Sequence, residues 1–310
     1  MPRKVIIDCD PGHDDALAIM LAAANPEVEL LAITTVAGNQ TLELTTLNAR
    51  RVCTAAGIAG VPIAAGCDRP LLRELVTAAD VHGASGLDGV DWPEPRVGVE
   101  SAHAVDLIVE LVMAAPGEVT LVPTAPLTNV ALALRREPRI ATAVREVVLM
   151  GGSFTRGNVT PAAEFNVYVD PEAAAVVFAA GWPLTMVGLD LTHQARVTPE
   201  VLSRIEALGT PLANAVAQLM RFYGRRSTAE GGPPLHDPCA VARVIDPGVM
   251  TCRDAFVAVE TEGRWTRGMT VTDFAGRPGR SANAAVAMQL DVPAFWDLQL
   301  DALRRLGDRS

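Results

Sequence analysis

The sequence predicts an α/β fold: a single domain with a mostly parallel central sheet flanked by helices. Three observations carry this expectation. Apolar, β-branched runs alternate with helix-patterned stretches along the chain, the order that produces right-handed crossovers and a parallel sheet covered on both faces. The 310 residues are 49% hydrophobic, ample for one large buried core. Polar clusters recur directly behind the apolar runs, where the carboxyl ends of parallel strands open a ligand crevice.

In chain order, buried strands are expected at 5–7, 28–36, 61–64, 119–122, 147–150 and 184–189. Helices are expected between them at 14–24, 42–56, 102–114, 127–135 and 171–180. The stretch 198–220 reads as helical and leads into a Gly/Pro-rich loop, GRRSTAEGGPPL at 224–235. A helix from Asp237 and strands at 256–260, 269–272 and 284–290 then extend the same domain. No shift in composition, repeat or low-complexity tract marks a linker, so residues 1–310 are expected to form one domain.

The formal net charge of −10 argues against a nucleic-acid backbone or an anionic membrane surface as partner. Only residues 5–7 separate Lys4 from Asp8, which is too short for the apolar core of a signal peptide. The longest apolar candidate for a membrane span, 173–189, is broken by Gly181 and Pro183. The five cysteines are scattered and lack CxxC spacing, as expected of reduced thiols in a cytoplasmic protein without a zinc site.

The chemistry concentrates in four blocks behind the strands: DCDPGHDD at 8–15, AGN at 37–39, PTAPLTN at 123–129 and MGGSFTRGNVTPAAEFN at 150–166. Asp14 and Asp15 open a helix, where a carboxylate complements the helix dipole by about 0.3–1 kcal/mol. That does not account for Asp8 and Asp10, two apart on a strand end. Two carboxylates about 5 Å apart at an effective dielectric near 20 repel by roughly 3 kcal/mol. The only lysine, Lys4, starts the strand at its opposite end. A hard divalent cation is the economical counter-charge, and all-oxygen ligation favours Ca²⁺ or Mg²⁺.

Together with LHDPCAVA at 235–242, the blocks DCDPGHDDALAIM, PTAPLTN and MGG…EFNVYVDPEAA occur in an order that resembles the inosine/uridine-type nucleoside hydrolase family, over about residues 3–306. The resemblance implies a Rossmann-like nucleoside hydrolase fold, a ribonucleoside substrate, a Ca²⁺ cofactor and a homodimer or homotetramer. It implies Ca²⁺ ligation by Asp10, Asp15, Asp237 and the Thr124 carbonyl, with Asp10 also the base for a metal-bound water. Asp14, Asn39, Asn158, Glu164 and Asn166 match groups that grip the ribose. His236 matches a histidine assisting protonation of the leaving base, while His82 and Phe165 fall in blocks that line the substrate. The chemistry agrees: an acidic pocket stabilises the oxocarbenium-like state of ribosyl C–N cleavage, and the blocks hold only Arg156 as a strong cation, which favours hydrolysis over phosphorolysis.

Simpler readings stand beside these. Asn39 after Gly38 fits a left-handed turn, and Glu164–Asn166 fits a helix cap. His103 and His193 are expected to be structural, and His13 a solvated loop residue. Thr228 stands where many relatives carry a tyrosine, with Tyr223 further upstream; base preference is therefore open. Two other functions compete: a haloacid-dehalogenase-like phosphatase using Asp8 and Asp10, and a catalytically silent nucleoside-binding protein. No GxGxxG follows the first strand, which disfavours a dinucleotide enzyme.

Overall fold

The computed structural model describes residues 1–226, 231–277 and 279–308. Its centre is one nine-stranded sheet, with the strands in the order β3-β2-β1-β4-β5-β6-β9-β7-β8. In chain order these are β1 (Arg3–Cys9), β2 (Val28–Thr35), β3 (Ile63–Ala65), β4 (Val119–Pro123), β5 (Glu146–Met150), β6 (Leu184–Val187), β7 (Met250–Val259), β8 (Thr270–Asp273) and β9 (Ala284–Leu290). The first six strands and β9 pair in parallel, whereas β7 runs antiparallel to both β9 and β8.

Strand β1 shows why the sheet is buried on both faces. Val5, Ile7 and Cys9 pack into one hydrophobic core and Ile6 into another, because successive side chains point to opposite faces. The chain winds outward from β1 to β3 and then returns to place β4 on β1's other edge. The strand order therefore reverses between β1 and β4, the switch point where open parallel sheets leave a crevice. Register brings Asp8 opposite both Thr34 of β2 and Pro123 of β4, so Asp10 and Thr124 emerge from neighbouring strand ends.

The first eight expected elements form within a few residues of their predicted limits. Three differences have local causes. The helical stretch 198–220 is two helices, Pro199–Glu206 and Pro211–Arg226, separated at Gly209 with φ +70° and restarted by Pro211. The sixth strand stops at Val187, and Gly188 caps a short helix, Leu189–Thr192. The C-terminal helix Val292–Gly307, which the strand–helix reading did not include, starts where Asp291 accepts a bond from the Ala294 N–H.

Candidate active site

Asp10 leaves β1 at the switch point and is completely buried. Its Oδ2 accepts the Asn39 backbone N–H at 2.6 Å, while its Oδ1 has no hydrogen-bond partner among the described residues. Gly38 is needed here, since a Cβ at that position would strike Asp10 Oδ2. Asp15, in the first turn of the helix His13–Ala24, accepts from the Gly12 N–H at 3.0 Å, from Asn39 Nδ2 at 3.3 Å and from Thr124 Oγ1 at 3.0 Å. Asp14 Oδ2 accepts the His236 N–H at 3.3 Å across 222 positions of sequence. Asp237 begins the helix Pro238–Ile245. One oxygen each from Asp14, Asp15 and Asp237 lies within 4.8 Å of the others, and all three residues are buried. The resemblance grouped Asp10 with Asp15 and Asp237; the geometry groups Asp14 with that pair, and Asp10 stands beside them with one oxygen open.

Burial, followed by the charge of Asp15, raises the pKa of Asp14 to about 7. Burial first and neighbouring carboxylates second push Asp10 and Asp237 well up, and burial raises Asp15. No ion pair among the described residues involves any of these groups. Crowded buried carboxylates, an open oxygen on Asp10 and no basic partner fit a hard divalent cation, whose charge would reverse these shifts.

Asp8 is held apart from that group. Its Oδ1 accepts from Thr34 Oγ1 at 2.6 Å and from Asn129 Nδ2 at 2.8 Å. Burial raises its pKa to about 6 despite those bonds. Its carbonyl also receives the Thr124 N–H at 2.8 Å, so Asp8 ties β1 to the start of the Thr124 loop.

On the opposite rim, Asn166 Nδ2 donates to the carbonyls of Thr124 and Met150, each at 3.1 Å. Glu164 is the N-cap of the helix Phe165–Val169, as the simpler reading held. Its carboxylate accepts N–H groups of Gly152 and Asn166 at 2.9 Å and of Val167 at 3.2 Å, yet burial raises its pKa to about 7. Asn158 is exposed and accepts the N–H of half-buried Phe165 at 2.9 Å. Asn39 is not a left-handed turn residue, because no described residue other than glycine has positive φ.

His236 is half-buried, with Nδ1 2.7 Å from Thr192 Oγ1. Burial lowers its pKa to about 3, followed by the effect of His193, whose tilted ring lies 5.7 Å away. His82 is also buried, and its Nδ1 lies 3.0 Å from His13 Nδ1. Gly12 permits this packing, since a Cβ there would come within 2.6 Å of His82 Nδ1. His13 is not the solvated loop residue expected: it is 0% exposed. Its ring stacks on His82 and Tyr223 at 5.2 Å and on Phe222 at 5.5 Å. The helix it begins meets the short helix Ala79–His82 where the His13 N–H donates to His82 Nδ1 at 3.3 Å, a contact between segments 69 residues apart. His103 caps the helix Ala104–Ala114 by accepting the Val105 N–H.

Two residues here were not assigned to the site from the sequence, although Tyr223 was noted upstream of Thr228. Tyr223 stacks on His82 at 5.6 Å, and burial raises its phenol well above the usual range, reinforced by Asp14, Asp237 and Asp15. Thr192 follows β6 at the same sheet edge as the other blocks, so the strand-end rule could have found it. Thr228 lies outside the described residues.

A family model described as "Inosine-uridine preferring nucleoside hydrolase" matches residues 5–297. The chain belongs to this family. It is a nucleoside hydrolase, an enzyme that acts on N-glycosyl bonds. The chain is 53% identical to the inosine-uridine preferring nucleoside hydrolase of Crithidia fasciculata, over 99% of both chains. It is 47% identical to the pyrimidine-specific ribonucleoside hydrolase RihA of Shewanella woodyi, over 98% of both. The solved purine-preferring ribonucleoside hydrolase of Gardnerella vaginalis superposes with a TM-score of 0.93 at 34% identity, covering 99% of this chain and 100% of that one. These names differ in the base, not in the ribonucleoside. Membership in the nucleoside hydrolases removes the phosphatase-like and dinucleotide readings, and among the described residues no helix is long and apolar enough to cross a membrane.

Proposed function

We propose that this nucleoside hydrolase cleaves the N-glycosidic bond of ribonucleosides in a calcium-dependent reaction, releasing free base and ribose. The supporting observation is the buried trio of Asp14, Asp15 and Asp237 beside the open Oδ1 of Asp10. Asp10, Asp15, Asp237 and the Thr124 carbonyl are the proposed ligands. Bound Ca²⁺ would hold the sugar hydroxyls and acidify a water.

The chain's own groups do the rest. Asp10 takes the proton of the attacking water as its oxygen bonds to the anomeric carbon. Asn39 keeps that carboxylate aimed by donating its N–H. Asp14, Asn39, Asn158, Glu164 and Asn166 hold the ribose hydroxyls, while the surrounding negative charge stabilises the cationic sugar. The electrons of the broken C–N bond move to the base. His236 assists there by donating toward the base, and His82 and Phe165 line it. The resemblance further supports one catalytic domain over residues 1–310, a homodimer or homotetramer, and a cytoplasmic location.

The test is release of reducing sugar from a panel of purine and pyrimidine ribonucleosides, with calcium and with chelator. Ribose release that requires calcium is expected. Tight nucleoside binding without ribose release would establish the silent-binding alternative.

A further inference from the structure

Strand β8 comes last in the sheet order, well away from β5, yet its first residue reaches the loop behind β5. Thr270 is buried; its Oγ1 accepts the Ser153 N–H at 2.8 Å and donates to the Ser153 carbonyl at 2.6 Å. One hydroxyl thus satisfies both backbone groups of Ser153. Gly152, beside it, has no room for a side chain: its φ is +72°, and a Cβ would lie 2.8 Å from Thr270 Oγ1 and 3.2 Å from Met186 Sδ of β6. The Gly152 carbonyl accepts the Leu189 N–H at 3.0 Å, and its N–H donates to Glu164 Oε2 at 2.9 Å. The turn between β7 and β8 also presses on the other support of Glu164, the helix Phe165–Val169. A Cβ on Gly268 would come within 2.8 Å of Tyr168 Cα, and the Arg267 guanidinium lies over the Tyr168 ring at 4.7 Å. That helix gives the Asn166 N–H to Glu164 Oε1 and the Val167 N–H to Oε2. A carboxylate has about four acceptor sites, so Oε1, with one N–H, keeps capacity for a substrate hydroxyl.

We propose that Thr270 is a positioning residue for sugar binding: its hydroxyl fixes the Gly152–Ser153 loop, and that loop aims the Glu164 carboxylate at a ribose hydroxyl. The inference rests on the reading of Glu164 as a ribose-holding group. It gives the antiparallel end of the sheet a part in substrate recognition that the blocks behind the parallel strands do not supply. Without the hydroxyl, the Ser153 N–H and carbonyl both lose a buried partner, and the loop can pair them again only by turning its peptides. Turning them takes the Gly152 N–H off Glu164 Oε2. A bond to a charged acceptor is among the stronger ones, so its loss frees the carboxylate to leave the orientation that meets the sugar. The sugar is common to every ribonucleoside, so the effect is the same whichever base is attached.

The test is a double-mutant cycle on the full-length enzyme with calcium present. It reads kcat/KM for inosine, uridine and a p-nitrophenyl riboside, with circular dichroism and thermal midpoints to follow folding. Thr270→Val, which keeps the shape and removes the hydroxyl, should lower kcat/KM about tenfold or more, by the same factor for all three substrates. Thr270→Ser, which keeps the hydroxyl, should restore most of it. In a Glu164→Ala background, Thr270→Val should cost less than about twofold, because residues that act through one another are not additive. An equal loss in both backgrounds, a loss confined to one base, or an unchanged kcat/KM in Thr270→Val overturns the proposal while leaving the role of Glu164 standing. Full activity in Glu164→Ala refutes the ribose-holding reading itself, and the proposal with it. Should Thr270→Val fail to fold, Thr270→Ala taken through the same cycle is judged by the same outcomes.

Discussion

Asn39 grips Asp10 twice: its backbone N–H meets Asp10 Oδ2 at 2.6 Å, and its side-chain amide meets the Asp10 carbonyl at 3.2 Å. The same amide reaches Asp15 Oδ2 at 3.3 Å. One residue from the end of β2 thus sets the positions of two carboxylates from the end of β1. Replacing its donor with a charge should be severe. Asn39→Asp is expected to lower kcat/KM by roughly 100-fold and weaken calcium binding, since a like charge about 5 Å away costs roughly 3 kcal/mol. Steady-state rates and calcium calorimetry check this; unchanged values for both would leave the amide without a role.

Asp8 and Asp10 are two residues apart but differ in their surroundings. Each keeps one oxygen without a partner among the described residues; the other oxygen of Asp8 is held by the side chains of Thr34 and Asn129, whereas that of Asp10 is held by the Asn39 N–H beside Asp15. Asp10→Asn should lower kcat by about 10²–10⁴-fold with the fold intact by circular dichroism. Asp8→Asn should cost less, about 10-fold, as expected for a group acting through its neighbours. The reverse order of losses would count against Asp10 as the base.

Removal of the metal should cost stability as well as activity. A bound ion that prefers the folded state contributes about 2.7 kcal/mol at a hundredfold excess over its Kd. Chelation is therefore expected to lower the thermal midpoint, and added calcium to restore it. In Asp237→Asn, the calcium-dependent rise in midpoint should shrink or vanish. A midpoint indifferent to chelation in metal-analysed protein would contradict a cation at the trio.

Glu164 supplies a pH dependence of defined sign. Its folded pKa is raised by burial from 4.5 to about 7. The folded state therefore holds the proton over a range where the unfolded chain has released it, and stability falls as pH rises through that range. The associated stability is fully present below about pH 4.5 and lost by about pH 7, amounting to about 3 kcal/mol. Glu164→Gln cannot ionise, so that portion of the decline should be missing from its denaturation midpoints. Parallel pH profiles for the two proteins would refute the shift.

Much of the site was legible because its parts are local. The spacing in DCDPGHDD puts a strand end, a tight turn and the first turn of a helix within eight residues. That alone places Asp10 and Asp15 near one another, whatever the rest of the chain does. Glu164 was legible as a helix cap, since a cap is formed by a residue and the N–H groups that directly follow it. His13 was misread because its neighbours in sequence are polar, while its neighbours in space are the rings of His82, Phe222 and Tyr223.

The sequence by itself determined the class of fold, the run of strands and helices, and the sheet edge at which the polar blocks gather. Periodicity of side chains and the common direction of parallel strands are local properties, and they suffice for that much. Only the tertiary structure decided which of those blocks touch. The meeting of Asp14 with His236, of Tyr223 with His82 and of Thr192 with His236 depends on strand order and on how α-helices cover the sheet. Those contacts join residues far apart in the chain, and no pattern of spacing encodes them; they follow from burying the two faces of one sheet whose order reverses at β1.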